Sequence, residues 1–117
     1  MRHRRRDLAT LGKVIASNST AALAFDNADD AREVLAALKA EPHIAAAAIY
    51  DRNGHLFVSY PAGLPITDLP SAPGADGYHF EPDRLVGVQA VVQGSDNHRL
   101  GTLYVESNLN GYYERLQ

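Results

Sequence analysis

The feature that most constrains the fold is a change of hydrophobic period at residue 44. Residues 44–60, IAAAAIYDRNGHLFVSY, predict two strands joined by a tight turn. Asp51 at the first turn position and Gly54 at the fourth favour a type I turn that ends in a left-handed residue. This register places Tyr50 opposite Leu56 and Ile49 opposite Phe57. The run of four alanines indicates that another element, most simply a helix, packs closely against the first strand.

Two helices are predicted before the hairpin. In the first, residues recur at spacings of three or four, which predicts an a/d seam; they are Leu8, Leu11, Ile15, Asn18, Ala22 and Phe25. The second helix has Asn27 as its N-cap, acidic residues in its first turn and a stop at Pro42. Its apolar stripe, which predicts core, is Ala31, Val34, Leu35 and Leu38.

Strands dominate the second half of the chain. Residues 61–77, PAGLPITDLPSAPGADG, hold four prolines and three glycines and predict a long surface connection or lid. Strands follow at residues 78–80, 84–93 and 98–107, and residues 108–117 return to helical spacing. The sequence therefore predicts a single α+β domain over residues 1–117. Two helices cover one face of a five-stranded antiparallel sheet, and a short C-terminal helix follows.

Catalytic and metal chemistry have no motif in this sequence. The chain has no cysteine, and its five histidines lack the spacing of a metal site. Glycine-rich phosphate loops and nucleophile elbows are also missing. We therefore expect no cofactor and no bound metal, and a domain that is not an enzyme.

Ligand binding is the remaining chemistry that the side chains suggest. Several tyrosines lie on or beside predicted strands, where their phenol groups could meet a ligand under the long connection. A structural role, as half-buried tyrosines of the sheet, is the alternative. The candidate ligand-binding residues are Tyr50, Tyr60, His79, Gln89 and Tyr104.

The charge pattern argues against nucleic acid as a partner. The net charge is −3, yet residues 2–6, RHRRR, carry four of the eleven basic side chains. This stretch fits either a solvated helix start or a strip that contacts nucleic acid or membrane headgroups. No mixture of aromatic and basic residues follows it, so nucleic-acid binding ranks last. Arginines oppose the helix dipole in a first turn, which favours a longer helix of which only part is present.

Together these segments resemble a known family. The stretch from Leu8 to Pro61 and the later LGTLYVESNL, residues 100–109, resemble the extracytoplasmic sensor domains of bacterial transmembrane signalling proteins. The resemblance is to the eighth class of CHASE domains, which are similar to periplasmic PAS-like (PDC or single-Cache) domains.

The resemblance implies a periplasmic domain held between two membrane helices that this chain lacks. It also implies a histidine kinase or GGDEF diguanylate cyclase as the output module. A small ligand or a periplasmic regulatory protein would then shift helices in a homodimer. We expect that homodimer to pair through Leu8, Leu11, Ile15, Asn18 and Ala22, with Asn18 setting the register. The alternative for Asn18 is a hydrogen bond to a neighbouring loop.

Overall fold

The computed structural model describes residues 2–109, and these residues form two helices and five strands. The helices are α1 (Arg2–Ala24) and α2 (Ala28–Ala36), the latter extended by a 3-10 turn (Ala37–Ala40). The strands are β1 (Ile44–Asp51), β2 (Leu56–Tyr60), β3 (Gly77–Phe80), β4 (Arg84–Gln93) and β5 (His98–Asn108). A short 3-10 turn, Ile66–Asp68, interrupts the connection between β2 and β3. The predicted C-terminal helix spans residues 108–117, of which 110–117 lie outside the described residues; its first predicted residue, Asn108, instead ends β5.

The five strands form one antiparallel sheet with the order β2-β1-β5-β4-β3. The predicted α+β class and its five-stranded antiparallel sheet are therefore confirmed. Gly54 closes the first hairpin with a positive φ of 81°, as the turn pattern predicts. Tyr50 lies opposite Leu56, but Ile49 lies opposite Val58 rather than Phe57. A bulge between Ile49 and Tyr50 causes this difference, because it adds one residue to the β2 side.

Both helices lie on one face of the sheet and build the larger core there. Asn27 caps α2, because its side chain accepts a hydrogen bond from the Asp30 amide at 3.1 Å. The predicted stripe of α2 is buried at Ala31, Leu35 and Leu38, with Val34 packed at its edge. These residues meet inward-facing side chains of the strands, such as Leu85, Leu103 and Val105.

The predicted seam of α1 is corrected by the structure, because most of it faces the chain's own sheet. Leu8, Ile15 and Ala22 are each less than 5% exposed within the main core, and Leu11 packs against that core. Asn18 is exposed. Over less than four turns, a 3.5-residue seam and a 3.6-residue amphipathic stripe diverge by only about 20° per heptad. The spacing of these residues is therefore compatible with a helix–helix seam and with an amphipathic stripe that packs on a sheet. In the structure, the sheet covers these residues.

Three consecutive polar residues in α1 have three different environments. Asn18 is exposed on the side of the helix that faces α2, close to Val34. Ser19 is fully buried, and its hydroxyl donates to the Ile15 carbonyl at 2.7 Å. Thr20 donates to the Val92 carbonyl of β4 at 3.1 Å. The two hydroxyls are thus accommodated by hydrogen bonds to backbone carbonyls of α1 and of β4.

Candidate functional site

The second face of the sheet carries no helix and is covered by the connection of residues 61–76. Side chains of β1, β4 and β5 form a smaller apolar cluster there, which includes Ala48, Val86 and Val88. Leu69 of the connection is 8% exposed and closes this cluster from above. Between the connection and the sheet lies a cleft of about 350 Å³. A volume of this size is within the range of small-molecule sites.

Two polar contacts hold the connection against the sheet. The Tyr50 hydroxyl of β1 donates to the Pro70 carbonyl at 2.6 Å. Near the other end, Arg99 of β5 binds the Asp76 carboxylate through two hydrogen bonds of 2.8 Å each. The Arg99 hydrogen bond lowers the pKa of Asp76, so the pair is ionised at neutral pH. The cleft therefore has a cover that is fixed at two points.

One wall of the cleft is a charged network at the β3–β4 turn. The turn itself is closed by backbone hydrogen bonds between Glu81 and Arg84, which brings the two side chains together. Arg84 donates from Nε to Glu81 at 2.7 Å and from Nη1 to Glu106 of β5 at 2.9 Å. Hydrogen bonds from Arg84 and from His79 keep the pKa of Glu81 below its usual range. Hydrogen bonding to Glu81 raises the pKa of Arg84. Both groups are charged at neutral pH.

A tyrosine and a histidine complete the polar end of the cleft. Tyr104 lines the floor and points its hydroxyl toward Glu106, 3.5 Å from Oε2. Burial first, and then the Glu106 carboxylate, raise the pKa of Tyr104 to about 12. The Nε2 atom of His79 lies 3.3 Å from Glu81. The phenol stays protonated at neutral pH, and its single O–H is directed toward Glu106.

The predicted ligand-binding residues divide between the two faces of the sheet. His79 and Tyr104 line the cleft, and Tyr50 supports its cover. Tyr60 packs against the core under the helices. Gln89 also lies on that side, where it accepts a hydrogen bond from Tyr78 at 2.9 Å. The structure thus brings three of the five together and separates Tyr60 and Gln89 from them by the thickness of the sheet.

Sequence reasoning missed the charged residues Glu81, Arg84 and Glu106. Two signals in the sequence point to them. The tetrapeptide EPDR, residues 81–84, is a turn with opposite charges at its two ends. In β5, Thr102, Tyr104 and Glu106 alternate with apolar residues, which places polar groups on one face of the sheet.

The described residues thus form a small α+β architecture, with an antiparallel sheet, helices on one of its faces and an open cleft beside a long connection on the other. A family model described as CHASE8, periplasmic sensor domain, matches residues 1–106. The chain belongs to the CHASE8 family of periplasmic sensor domains, and this membership indicates an extracytoplasmic location. Searches of curated proteins and of solved structures gave no match.

Two further features of the described residues bear on the site. Neither α1 nor α2 combines the length and the apolar character needed to cross a bilayer. In residues 2–109, no three side chains among His, Asp and Glu are grouped so that they could hold a metal ion. The side chains that line the cleft offer hydrogen bonds and charge beside an apolar floor.

Proposed function

We propose that this domain senses a small molecule in the cleft between the sheet and residues 61–76. The full-length protein would be a membrane-bound bacterial signalling protein, with this domain in the periplasm and a histidine kinase or GGDEF diguanylate cyclase as its output module. Family membership supports the sensory role and the extracytoplasmic location. The cleft supports a ligand, because it combines an apolar floor with a few convergent polar groups.

The observation that carries this proposal is the position of the charged wall. Arg84 is paired in the sheet with Asn108, the last residue of β5, and Glu106 lies two residues before it. Asn108 also receives a hydrogen bond from Arg4 of α1, whose Nη2 donates to its carbonyl at 3.0 Å. The Asn108 amide donates to His43 at 2.8 Å. The cleft is thus joined by direct contacts to the first turn of α1 and to the end of β5.

These contacts suggest how a ligand would act. A ligand that binds Glu81 or Arg84 alters the hydrogen bonds between Arg84 and Glu106. Because Glu106 lies in β5, the change reaches Asn108 and, through Arg4, the start of α1. We propose that the two ends continue into membrane helices, so that their relative movement carries the signal to the output module. A ligand shifts the balance between the two arrangements of the Arg84 hydrogen bonds, the present one and the altered one, because it binds one of them more tightly than the other.

We further propose that two copies pair through α1, as the sequence resemblance implies, but on a different face. The stripe of Leu8, Ile15 and Ala22 is occupied by the sheet. The outer face presents Val14, which is 51% exposed, together with the exposed residue Ser17. Sedimentation of Val14→Glu against the wild type tests this pairing. A wild-type dimer that Val14→Glu leaves intact would rule out this face.

Regulation by a periplasmic protein is the second candidate function. One observation favours it: Ile66, at the outer surface of the connection that covers the cleft, is 68% exposed. A protein that binds there would act on the same cover as a ligand. The two candidates differ in whether the cleft itself is filled.

Native mass spectrometry of the purified domain, before and after denaturation, tests the proposal. We expect the wild type to release a bound small molecule on unfolding. Val88→Phe, which fills the floor of the cleft, should lose this molecule. Ala40→Phe, at the exposed end of the 3-10 turn that follows α2, should keep it. If the wild type carries no molecule, and no member of a panel of metabolites raises its melting temperature, the small-molecule proposal fails and the protein partner is favoured.

A further inference from the structure

Two depressions lie along the first turns of α1, and they differ in charge. One of them, the basic depression, has a volume of about 320 Å³ and is lined by two arginines and no carboxylate. Its lining residues are Arg5, Arg6, Ala9 and Tyr78. The other contains acidic as well as basic side chains, namely Asp7, Glu41 and Arg4. Positive charge is therefore unopposed on only one of these two surfaces, the one that Tyr78 of β3 completes.

The two arginines of the basic depression are available to a partner outside the chain. Arg5 and Arg6 are exposed, and among residues 2–109 neither of them forms an ion pair. Arg4, the residue before them, instead donates to the Asn108 carbonyl at 3.0 Å. A guanidinium group presents its N–H donors in a planar fork that matches phosphate oxygens. An anion can therefore bind Arg5 and Arg6 without breaking an ion pair of the protein.

The distribution of charge over the chain gives this surface a direction. Residues 2–6 carry four positive charges, so a net charge of −3 for the whole chain leaves −7 for all other residues. An anionic surface therefore attracts the first turns of α1 and repels the remainder of the domain. Attraction at one end only would hold the domain with the start of α1 toward that surface.

We propose that Arg5 and Arg6 bind the phosphate groups of anionic phospholipids at the surface of the membrane. This inference concerns a different surface from the cleft, and it uses one part of the proposed function, the membrane helix before α1. Such a helix places the first turns of α1 at the level of the lipid headgroups. Charge-assisted hydrogen bonds between arginine and phosphate are among the stronger ones in proteins. Tyr78 suits this level as well, because its side chain combines an apolar ring with a polar tip.

The spacing of the two arginines favours a lipid surface over a single phosphate ion. Arg5 and Arg6 are consecutive residues of α1, and consecutive side chains leave a helix about 100° apart. Two guanidinium groups that diverge in this way suit neighbouring headgroups better than one small ion. The basic depression between them is also lined by no buried polar side chain that would enclose such an ion.

Sedimentation of the chain with lipid vesicles tests the proposal. We expect saturable binding to mixed vesicles of phosphatidylglycerol and phosphatidylcholine, and none to vesicles of phosphatidylcholine alone. Arg5→Gln and Arg6→Gln should each weaken this binding roughly fivefold, the usual contribution of one basic residue near an anionic bilayer. Arg52→Gln removes the same charge from the exposed turn between β1 and β2, at the far end of β1, and should leave the affinity unaltered. Inorganic phosphate, added at constant ionic strength, should not release the bound domain.

The other outcomes overturn the proposal in distinguishable ways. Absence of binding to the anionic vesicles, or equal binding to both kinds of vesicle, removes the charged headgroup as the partner. Equal weakening by Arg5→Gln and Arg52→Gln would mean that the vesicles respond to net charge rather than to this surface. Release by inorganic phosphate would assign the arginines to a free phosphate compound instead of a lipid. None of these results bears on the ligand of the cleft, which mass spectrometry decides separately.

Discussion

At the scale of single residues, Tyr78 joins α1 to the sheet through two glycines. Its hydroxyl lies against Gly12 of α1 and its ring against Gly87 of β4, so closely that a Cβ at either position would overlap it. The hydroxyl also donates to Gln89 at 2.9 Å. Burial raises the pKa of Tyr78 to about 12. The ring is therefore held from both sides and has little room to move.

This arrangement predicts an unusual result for Gly12→Ala. In an exposed helix the change would stabilise by about 1 kcal/mol through helix propensity. Here we expect a net loss of about 1–2 kcal/mol, because overpacking a core contact costs about 1–3 kcal/mol. Urea denaturation of the single and double variants measures it. In the Tyr78→Phe background the hydroxyl is gone and the nearest ring atom, Cζ, is 3.1 Å from the added carbon, so most of the loss should disappear.

Gly87→Ala is the matched control for that pair. The added carbon would meet the ring carbons Cδ2 and Cε2 rather than the hydroxyl. Removing the hydroxyl should therefore not rescue Gly87→Ala. Equal rescue of both glycine variants by Tyr78→Phe would contradict the described packing.

Tyr104 predicts how stability depends on alkaline pH. Its pKa is about 12 in the folded domain and about 10 in an unfolded chain, so the folded state holds its proton more tightly. The corresponding stability is fully present below pH 10 and is lost as the pH rises through 12. We expect the free energy of unfolding of the wild type to fall by on the order of 2 kcal/mol over this range from Tyr104 alone. Tyr104→Phe should flatten that part of the curve, and an unchanged slope would refute the assignment.

At the scale of elements, the connection of residues 61–76 behaves as a cover that one ion pair fastens. Asp76 and Arg99 are both partly exposed, so the pair contributes little to global stability, about 0.2–1 kcal/mol. Its effect is local, because it fixes the end of the cover to β5. Asp76→Asn should therefore raise the amide exchange rate and protease sensitivity of residues 70–76, with little change in the melting temperature.

The exposed pair of Asp29 with Arg32 provides the control for this cover. Both pairs have an N–O distance of 2.8 Å, but the control pair joins neighbouring turns of α2 rather than two separate elements. Asp29→Asn should leave exchange in residues 70–76 unchanged. Arg99 lowers the pKa of Asp76 below the usual aspartate value of 3.8. The wild-type cover should therefore stay fastened as the pH falls to about 3.8, and should loosen only as the pH falls further. Loosening already at neutral pH would contradict the role of the pair.

The helix α1 shows where element-level prediction reaches its limit. The spacing of Leu8, Ile15 and Ala22 correctly identifies one apolar face, but it does not say whether a sheet or a second helix covers it. That choice depends on the strands that fold against α1, some 60 to 100 residues later in the chain. The bulge at Ile49 is similar, since the turn residues predict the hairpin but not the extra residue that shifts its register.

At the scale of the whole molecule, the sequence predicts the layers better than the site. Local patterns suffice for the strands, the caps and the order of elements, because each depends on nearby residues. The cleft depends on three segments that meet only in the fold: the cover, the β3–β4 turn and the middle of β5. His79 and Tyr104 could be predicted because polar residues alternate along strands. Tyr60 and Gln89 follow the same alternation but face the helices, and single-strand patterns do not distinguish the two faces.

The molecule also brings the start of α1 next to the end of β5, and this predicts a difference among three adjacent arginines. Arg4 is partly buried and donates to the Asn108 carbonyl at 3.0 Å, whereas Arg5 and Arg6 are exposed. Arg4→Gln should lower the free energy of unfolding by about 1 kcal/mol, the usual value of such a bond. It should also speed amide exchange at Asn108, whose N–H bonds to His43. Arg5→Gln and Arg6→Gln remove the same charge and should change neither quantity.

Hydrogen exchange followed by NMR measures these three variants under identical conditions. Equal changes in stability and amide exchange for all three variants would mean that only the net charge of the first turn matters. The hydrogen bond from Arg4 to Asn108 would then not couple the start of α1 to the end of β5. A specific effect of Arg4→Gln would show that the two ends move as one unit. In that case a change at Glu106 in the cleft, two residues from Asn108, reaches α1 through a single hydrogen bond. The same variant should then also reduce any shift that a cleft ligand produces at the signals of the first turn of α1.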